Sequence, residues 1–333
     1  MIVKVQVRAT AMMVLCLVAA PSPVGTAQID QLWTDRSGHA VSFVTVSPGV
    51  DLEVLDWGGT GPSLLLLSGV GNTAHVYDEF ALRLTGPFRV VGVTRRGFGA
   101  SGRSATGHDI NSRVQDILTV IDRLGFEHPV MVGHSIAGEE MTRFAASHPS
   151  RIRAIVYLDA AYDHTQTPQV PGPDQPMTAR DKETVDQLND WLARTLGHRY
   201  PEAEIRSTGG IFDSTGRFIR DVTPSGAGRQ VLNSVERPDY RAVRVPTLAI
   251  YRPMTLRSLY PNADSFDAPA RELAERQARE ARIWWQRSID QYRGEATDAR
   301  AVLLESGGHH VFLTNADEVA RLTLSFLADL SVP

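Results

Sequence analysis

Pro129-Val130-Met131-Val132-Gly133-His134-Ser135-Ile136-Ala137 runs from a short apolar segment into a helical one and sets a serine at the bend between them. Where a buried strand turns sharply into a helix, the side chain at the apex points outward, and the bend tolerates only small residues two places before and two after. Gly133 and Ala137 are those residues. A bare G-x-S-x-A spacing is common, so its position after a strand and before a helix is what makes Ser135 a candidate nucleophile.

On either side of this bend, short runs rich in branched apolar residues alternate with amphipathic helical stretches. Strands are expected at 41–46, 52–56, 63–67, 89–93, 130–132, 155–158, 247–251 and 301–304. The first two flank Ser47-Pro48-Gly49 as an antiparallel hairpin, and the four- and five-residue runs lack the period-two alternation of half-exposed strands, as fits burial on both faces. Helices are expected at 74–84, 110–124, 139–148, 270–293 and 316–327. The pattern predicts an α/β fold, a mostly parallel eight-stranded sheet with helices on both faces. Between about His164 and Tyr240 it changes: Pro and Gly clusters surround a helix-like stretch at 179–196, and the next strand begins only at Thr247. That segment reads as a cap or lid inserted over one end of the sheet, with residues 28–163 and 241–333 forming the core. No internal repeat or low-complexity tract interrupts the chain.

With 333 residues, 42% of them hydrophobic, the chain is long enough to bury a full core. Residues 1–27 stand apart. Lys4 and Arg8 precede an apolar run of about ten residues, and Pro21, Pro23 and small residues lead to Gly25-Thr26-Ala27, so a cleaved signal peptide and an exported protein, periplasmic or secreted, are expected. The run is too short to span a bilayer, which needs about 20 residues, and Leu15 before Cys16 does not suit a lipoprotein signal. Cys16 is the only cysteine, so the mature chain would lack disulfides and thiolate metal ligands. The formal charge of −4 becomes more acidic once Lys4 and Arg8 are removed, which disfavours nucleic acid and anionic lipid and favours a small-molecule substrate.

A catalytic serine requires a base, an acid to orient that base, and donors for an oxyanion. Ser306-Gly307-Gly308-His309-His310 follows the last strand and offers His309 or its neighbour His310 as the base. The slot after the penultimate strand, Arg252-Pro253-Met254-Thr255-Leu256-Arg257, holds no carboxylate. The acid is therefore sought after the preceding strand, where Asp159 sits at the strand end and Asp163 is the alternative. The turn Ser68-Gly69-Val70-Gly71-Asn72 can present the N–H of Val70, and the bend itself that of Ile136, as two convergent donors.

Other motifs admit other readings. Gly69-Val70-Gly71-Asn72-Thr73-Ala74 also fits G-x-G-x-x-A, with Arg95 and Arg96 placed for a 2′-phosphate of NADP, but a hairpin precedes this strand and the serine and histidine motifs would go unused. In Thr94-Arg95-Arg96-Gly97-Phe98-Gly99-Ala100-Ser101, Arg96 is expected to bond backbone carbonyls. His108, His128, His148, His164 and His198 lack metal-ligand spacing and read as solvated or capping residues, with no metal expected. Trp284 and Trp285 are expected to pack.

Taken together, LLLLSGVGNTAHVYDEF (64–80), VTRRGFGAS (93–101), VGHSIAGEE (132–140), IVYLDAAY (155–162) and GHHVFLTN (308–315) resemble α/β-hydrolases of the serine type, over about residues 52–327 outside the middle insertion. The resemblance implies an α/β-hydrolase fold, favours His309 over His310, and supports Asp159, since some relatives carry the acid there when the usual slot is empty. It implies hydrolysis of a carboxylic ester or related acyl bond such as a lactone, without a cofactor. Relatives that open epoxides or remove halides carry Asp at the elbow, against which Ser135 stands. The usual His-Gly of the oxyanion turn is Ser68-Gly69 here. An amidase or aminopeptidase of the same fold, with a carboxylate such as Glu202 or Glu204 as amine anchor, and a non-catalytic small-ligand-binding protein are the alternatives.

Overall fold

The computed structural model describes residues 33–222 and 225–330; the expected signal peptide at 1–27 lies outside them. Eight strands form one sheet: β1 (Ala40–Ser47), β2 (Val50–Gly58), β3 (Ser63–Leu67), β4 (Arg89–Val93), β5 (Val130–His134), β6 (Ala154–Leu158), and, after a separate ribbon of β7 (Ile211–Phe212) and β8 (Phe218–Arg220), β9 (Thr247–Tyr251) and β10 (Ala299–Leu303). Their order is β1-β2-β4-β3-β5-β6-β9-β10. The β1–β2 hairpin and the β2–β4 pairing are antiparallel, and every pairing from β4 to β10 is parallel.

Alternate side chains of the central strands enter two apolar layers. Leu65, Leu67, Met131 and Tyr157 face one, with α1 (Ile110–Arg123), α2 (Ala137–Ser147) and the end of a long helix; Leu64, Leu66, Val132 and Val156 face the other, with Phe80, Phe312 and Phe326. Apolar residues at every position of these strands are thus required, which is why the sequence shows runs and not alternation. Each Leu or Phe fully buried this way contributes about 1.5–3 kcal/mol.

Strand order turns back on itself at β3 and β5, which lie side by side while their chain continuations run to opposite edges, so their carboxyl ends open a crevice. The strands end in register: Leu67 lies opposite Gly133, Gly133 opposite Tyr157, and Leu158 opposite Ile250. The loops that follow β3, β5, β6, β9 and β10 therefore converge.

Two expectations change. The helix expected at 74–84 is a 3-10 turn, Ala74–Tyr77, followed by one α turn, Asp78–Ala81. Ala74 N–H donates to Thr94 Oγ1 and Tyr77 OH to the Leu67 carbonyl, and these tertiary bonds take the place of helix propagation. The 179–196 stretch is helical only from α3 (Val185–Leu196), where Thr184 accepts from Gln187 N–H as its cap. The β7–β8 ribbon, with α4 (Glu202–Thr208) and α5 (Ala227–Asn233), fills the rest of the insertion; its strands are too short to show a period. The long helix is α6 (Ala268–Glu295) and the last is α7 (Ala316–Asp329). Among the described residues, no helix is long and apolar enough to cross a membrane.

Candidate active site

Ser135 follows β5 with φ of 54°, left-handed backbone that a non-glycine residue adopts only when its surroundings impose it. The surroundings are tight. A Cβ on Gly133 would lie 2.7 Å from Met141 Cε and 3.0 Å from Ala137 Cβ, and one on Gly138 would lie 1.9 Å from the Ala160 carbonyl oxygen. Gly138, one place beyond the expected pair of small residues, is thus the least replaceable. Ile136 is the N-cap residue of α2, no side chain caps it, and with Gly138 and Glu139 N–H donating to the Ser135 and Ile136 carbonyls the positive end of the helix lies beside the serine.

Asp159 directly follows β6 and shares the left-handed conformation, with φ of 49°. Its carboxylate is wholly buried. His309 Nδ1 donates to Oδ2 at 2.6 Å, Arg252 N–H donates to Oδ1 at 3.1 Å, and Tyr162 OH donates to Oδ1. The Arg252 guanidinium Nε stands 3.2 Å from Oδ2 without hydrogen-bond alignment, so it acts as a charge. Burial alone pushes the carboxyl up, but the Arg252 charge and the bonds from His309 and Tyr162 outweigh it and hold Asp159 below the usual carboxylate range. For His309, burial pushes the ring down and Asp159 opposes it only in part, which keeps the imidazole neutral at neutral pH. With Nδ1 engaged, Nε2 remains to accept a proton.

The elbow and the histidine loop are packed together. His134, directly before Ser135, packs against His309 with ring centroids 4.4 Å apart and the rings tilted by 50°, and its Nε2 lies 3.0 Å from the His309 carbonyl oxygen. Gly69 closes the third side: a Cβ there would lie 3.3 Å from Ser135 Cβ and 2.8 Å from His134 Nδ1. The turn carrying Val70 therefore lies against the elbow.

That turn is held from two directions. Arg95 donates to the Ser68 and Gly69 carbonyls at 2.9 and 3.3 Å and forms a bidentate pair with Glu140 at 2.7 and 2.9 Å, and Glu140 also accepts from Arg113 at 3.0 Å. From the insertion, Glu204 of α4 accepts from Asn72 Nδ2 at 2.8 Å, from Thr73 N–H and from Thr73 Oγ1. Glu204 is wholly buried; burial lifts its pKa to about 7 despite the Thr73 and Asn72 bonds. The sequence pattern offers Arg95 only as a 2′-phosphate ligand, and it assigns no role to Glu140, Arg252 or Tyr162. Only Glu140 gave a sign, as one of two acids in the first turn of an otherwise amphipathic helix.

Several sequence expectations are corrected. Arg96 pairs with Asp116, at 2.6 Å from Nε, with one carbonyl contact to Thr106 at 3.4 Å; Arg95, not Arg96, bonds the important carbonyls. Both arginines are thereby consumed in buried ion pairs, and the NADP reading loses its phosphate ligands. His310 turns away from Asp159; its Nε2 lies 3.1 Å from Asn72 Oδ1 and 3.0 Å from Tyr200 OH. Asp163 accepts from Thr165 N–H as the cap of a 3-10 turn. Glu202 is exposed and pairs with Arg206, so with Glu204 engaged neither carboxylate stands free to anchor an amine. His108 and His198 are buried rather than solvated, and His198 packs against His310 with centroids 4.6 Å apart. His164 lies 3.2 Å from Glu139. Trp284 packs on Tyr162 and donates to the Asp163 carbonyl, and Trp285 is buried, as expected.

A family model described as the alpha/beta hydrolase family matches residues 64–322. The chain is 32% identical over 101 residues to 2-(acetamidomethylene)succinate hydrolase of Mesorhizobium japonicum, across 30% of this chain and 36% of that protein. It is 30% identical over 162 residues to the bifunctional esterase/perhydrolase of Acinetobacter calcoaceticus, across 48% of this chain and 57% of that one. These matches span about a third to somewhat over half of those relatives' lengths. The crystal structure of an esterase from Exiguobacterium antarcticum superposes with a TM-score of 0.58 at 17% identity, covering 86% of this chain and 99% of that one, a likeness of fold.

Proposed function

The chain belongs to the alpha/beta hydrolase family, and from that premise we propose that it is a serine hydrolase that cleaves a carboxylic ester, or a related acyl bond such as a lactone, in a small molecule. Ser135 Oγ attacks the carbonyl carbon while its proton passes to His309 Nε2. Asp159 holds the ring by Nδ1 and balances the imidazolium charge. The oxyanion is received by the N–H groups of Val70 and Ile136, each such donor contributing about 2.7–4 kcal/mol to the transition state. His309 then returns the proton to the leaving alcohol, and water, activated by the same ring, releases the acid from the acyl-enzyme.

The single observation that carries this reading is the 2.6 Å contact of His309 with Asp159 on a loop packed against the Ser135 elbow. A binding protein has no use for a buried carboxylate holding an imidazole beside a strained serine. The insertion at 164–240 acts in this proposal as a lid: Glu204 and Tyr200 reach the oxyanion turn and the histidine loop, so lid position and turn geometry are linked. Export with cleavage near residue 27 belongs to the same proposal, and the N-terminal sequence of protein recovered outside the cytoplasm tests it. For the activity, the purified mature chain is assayed on short p-nitrophenyl esters, lactones and anilides. Ester or lactone turnover that disappears in Ser135→Ala is expected; turnover surviving in that variant, or restricted to anilides, contradicts the proposal.

A further inference from the structure

Two loops of the proposed hydrolase must keep a common register: the turn after β3 carries the Val70 N–H, and the loop after β10 carries His309. They are not neighbours in the sheet. β5, β6 and β9 lie between β3 and β10, which sets the two strand ends about 19 Å apart at the usual spacing of about 4.8 Å. Each loop has to lean across the crevice, and something has to join them there.

Asn72 and His310 make that join. Both are buried, and Asn72 Oδ1 lies 3.1 Å from His310 Nε2. Asn72 belongs to the turn through its main chain: its N–H donates to the Gly69 carbonyl, and its own carbonyl accepts from Ser68 Oγ at 3.1 Å. The side-chain amide has one orientation. Nδ2 donates to Glu204 Oε1 at 2.8 Å, on a carboxyl that also receives Thr73 N–H and Thr73 Oγ1, so Oδ1 is the atom left for His310. An amide oxygen accepts and cannot donate, which places the ring hydrogen of His310 on Nε2, where the Tyr200 oxygen at 3.0 Å shares it. His310 stays neutral, because burial, and then the His134, His198 and His309 rings around it, hold it well below the usual imidazole range. It therefore supplies a donor without setting a charge beside the base.

The loop is fastened at its next residues as well. The His310 carbonyl accepts from Leu313 and Thr314 N–H at 2.8 and 3.0 Å, and the His309 carbonyl lies 3.0 Å from His134 Nε2 of the elbow. The histidine loop is thus pinned to the elbow at residue 309 and to the oxyanion turn at residue 310.

We propose that Asn72 and His310 are positioning residues for this hydrolysis: their hydrogen bond, which joins residues 238 apart in the chain, holds the Val70 N–H and His309 Nε2 in one register about the Ser135 hydroxyl. The inference rests on the reading of Ser135, His309 and Asp159 as the reacting groups, and it gives the second histidine of the pair a task other than base. A displacement of about 1 Å between such groups is enough to slow the chemistry by about 10²-fold. Because Glu204, which orients the Asn72 amide, belongs to lid helix α4, the bond reaches this geometry only with the lid docked.

Steady-state hydrolysis of p-nitrophenyl acetate by the mature chain tests this in Asn72→Leu, His310→Leu, the double variant, and His310→Gln, whose amide keeps a donor where Nε2 stood. Each Leu variant should lose about 10²-fold in kcat with KM within about threefold of the parent. The double variant should fall within about threefold of either single, since both remove the same bond, and His310→Gln should stay within about fivefold of the parent. NMR of the parent with isotope-labelled histidine gives a readout independent of turnover: His310 should be protonated at Nε2 and bare at Nδ1. Losses that multiply in the double variant, unchanged kcat in either Leu variant, a loss of about 10²-fold in His310→Gln, or a His310 protonated at Nδ1 each overturn the proposal and leave the hydrolase reading in place. If the Leu variants fail to fold, His310→Gln and the spectra still decide. A parent chain that turns over no ester overturns the hydrolase reading and this inference together.

Discussion

Replacing Arg252 by Met probes the electrostatics beneath His309, the proposed general base. Asp159 is wholly buried, and the Arg252 Nε stands 3.2 Å from its Oδ2. At an effective dielectric of ~20 that separation corresponds to about 5 kcal/mol of attraction, part of which offsets the desolvation of the guanidinium. Methionine fills similar volume but leaves the carboxylate with its hydrogen bonds and no compensating cation, so unfolding free energy in urea should fall by about 3 kcal/mol. The carboxyl pKa should rise with it, because the largest influence opposing burial has gone. Ester hydrolysis would then lose kcat at a higher pH on the acid side than in the parent enzyme. Arg252→Lys should restore much of both. In the Asp159→Asn background the same Met substitution should be far less damaging, since no charge remains to compensate, and the double-mutant cycle isolates the pair. A stability loss below about 0.5 kcal/mol with an unmoved pH profile would refute this reasoning.

Asp159→Asn should lower kcat by about 10³–10⁴-fold by leaving the imidazole without its anionic partner, while Asp163→Asn, which keeps an oxygen to accept from Thr165 N–H, should change kcat by no more than a few-fold and stability by less than about 0.5 kcal/mol. Steady-state kinetics and urea melts on both variants separate the two carboxylates. Gly138→Ala drives a methyl into the Ala160 carbonyl and should destabilise by about 3 kcal/mol with loss of activity, whereas Gly294→Ala, which meets nothing within 4 Å, should stabilise α6 by up to about 1 kcal/mol. Glu204, whose pKa is lifted from 4.5 to about 7, favours folding most when protonated. Its contribution is full below pH 4.5 and is lost as pH rises through 7, at about 1.4 kcal/mol per unit. Melting temperature against pH should therefore fall less across that window in Glu204→Gln than in the parent.

The core of this fold could be read because its strands are covered on both faces: runs such as Leu64-Leu65-Leu66-Leu67 and Val130-Met131-Val132 have no other use. The candidate site was legible for a related reason. Ser135, Asp159 and His309 each follow a recognisable strand, and parallel strands in register deliver their carboxyl ends to one place. What escaped the sequence is whatever depends on which distant side chains meet. Arg95 finds Glu140 45 residues away, and Asn72 finds Glu204 132 residues away; charged residues of this kind look like ordinary surface until a crevice buries them. Arg252 is the sharpest case. Its position after β9 reads only as a missing acid, yet the structure turns its charge onto the acid supplied by β6. The 74–84 segment fails for the opposite reason: its helical period is real, but bonds to Thr94 and Leu67 override it.

Identification of the residue that takes up a fluorophosphonate probe tests the central claim most directly. Peptide mapping of the labelled mature protein should place one adduct per chain on Ser135, with loss of ester hydrolysis in step with labelling, no adduct in Ser135→Ala and greatly slowed labelling in His309→Ala. An adduct on a different serine, or an active esterase that remains unlabelled, would contradict it.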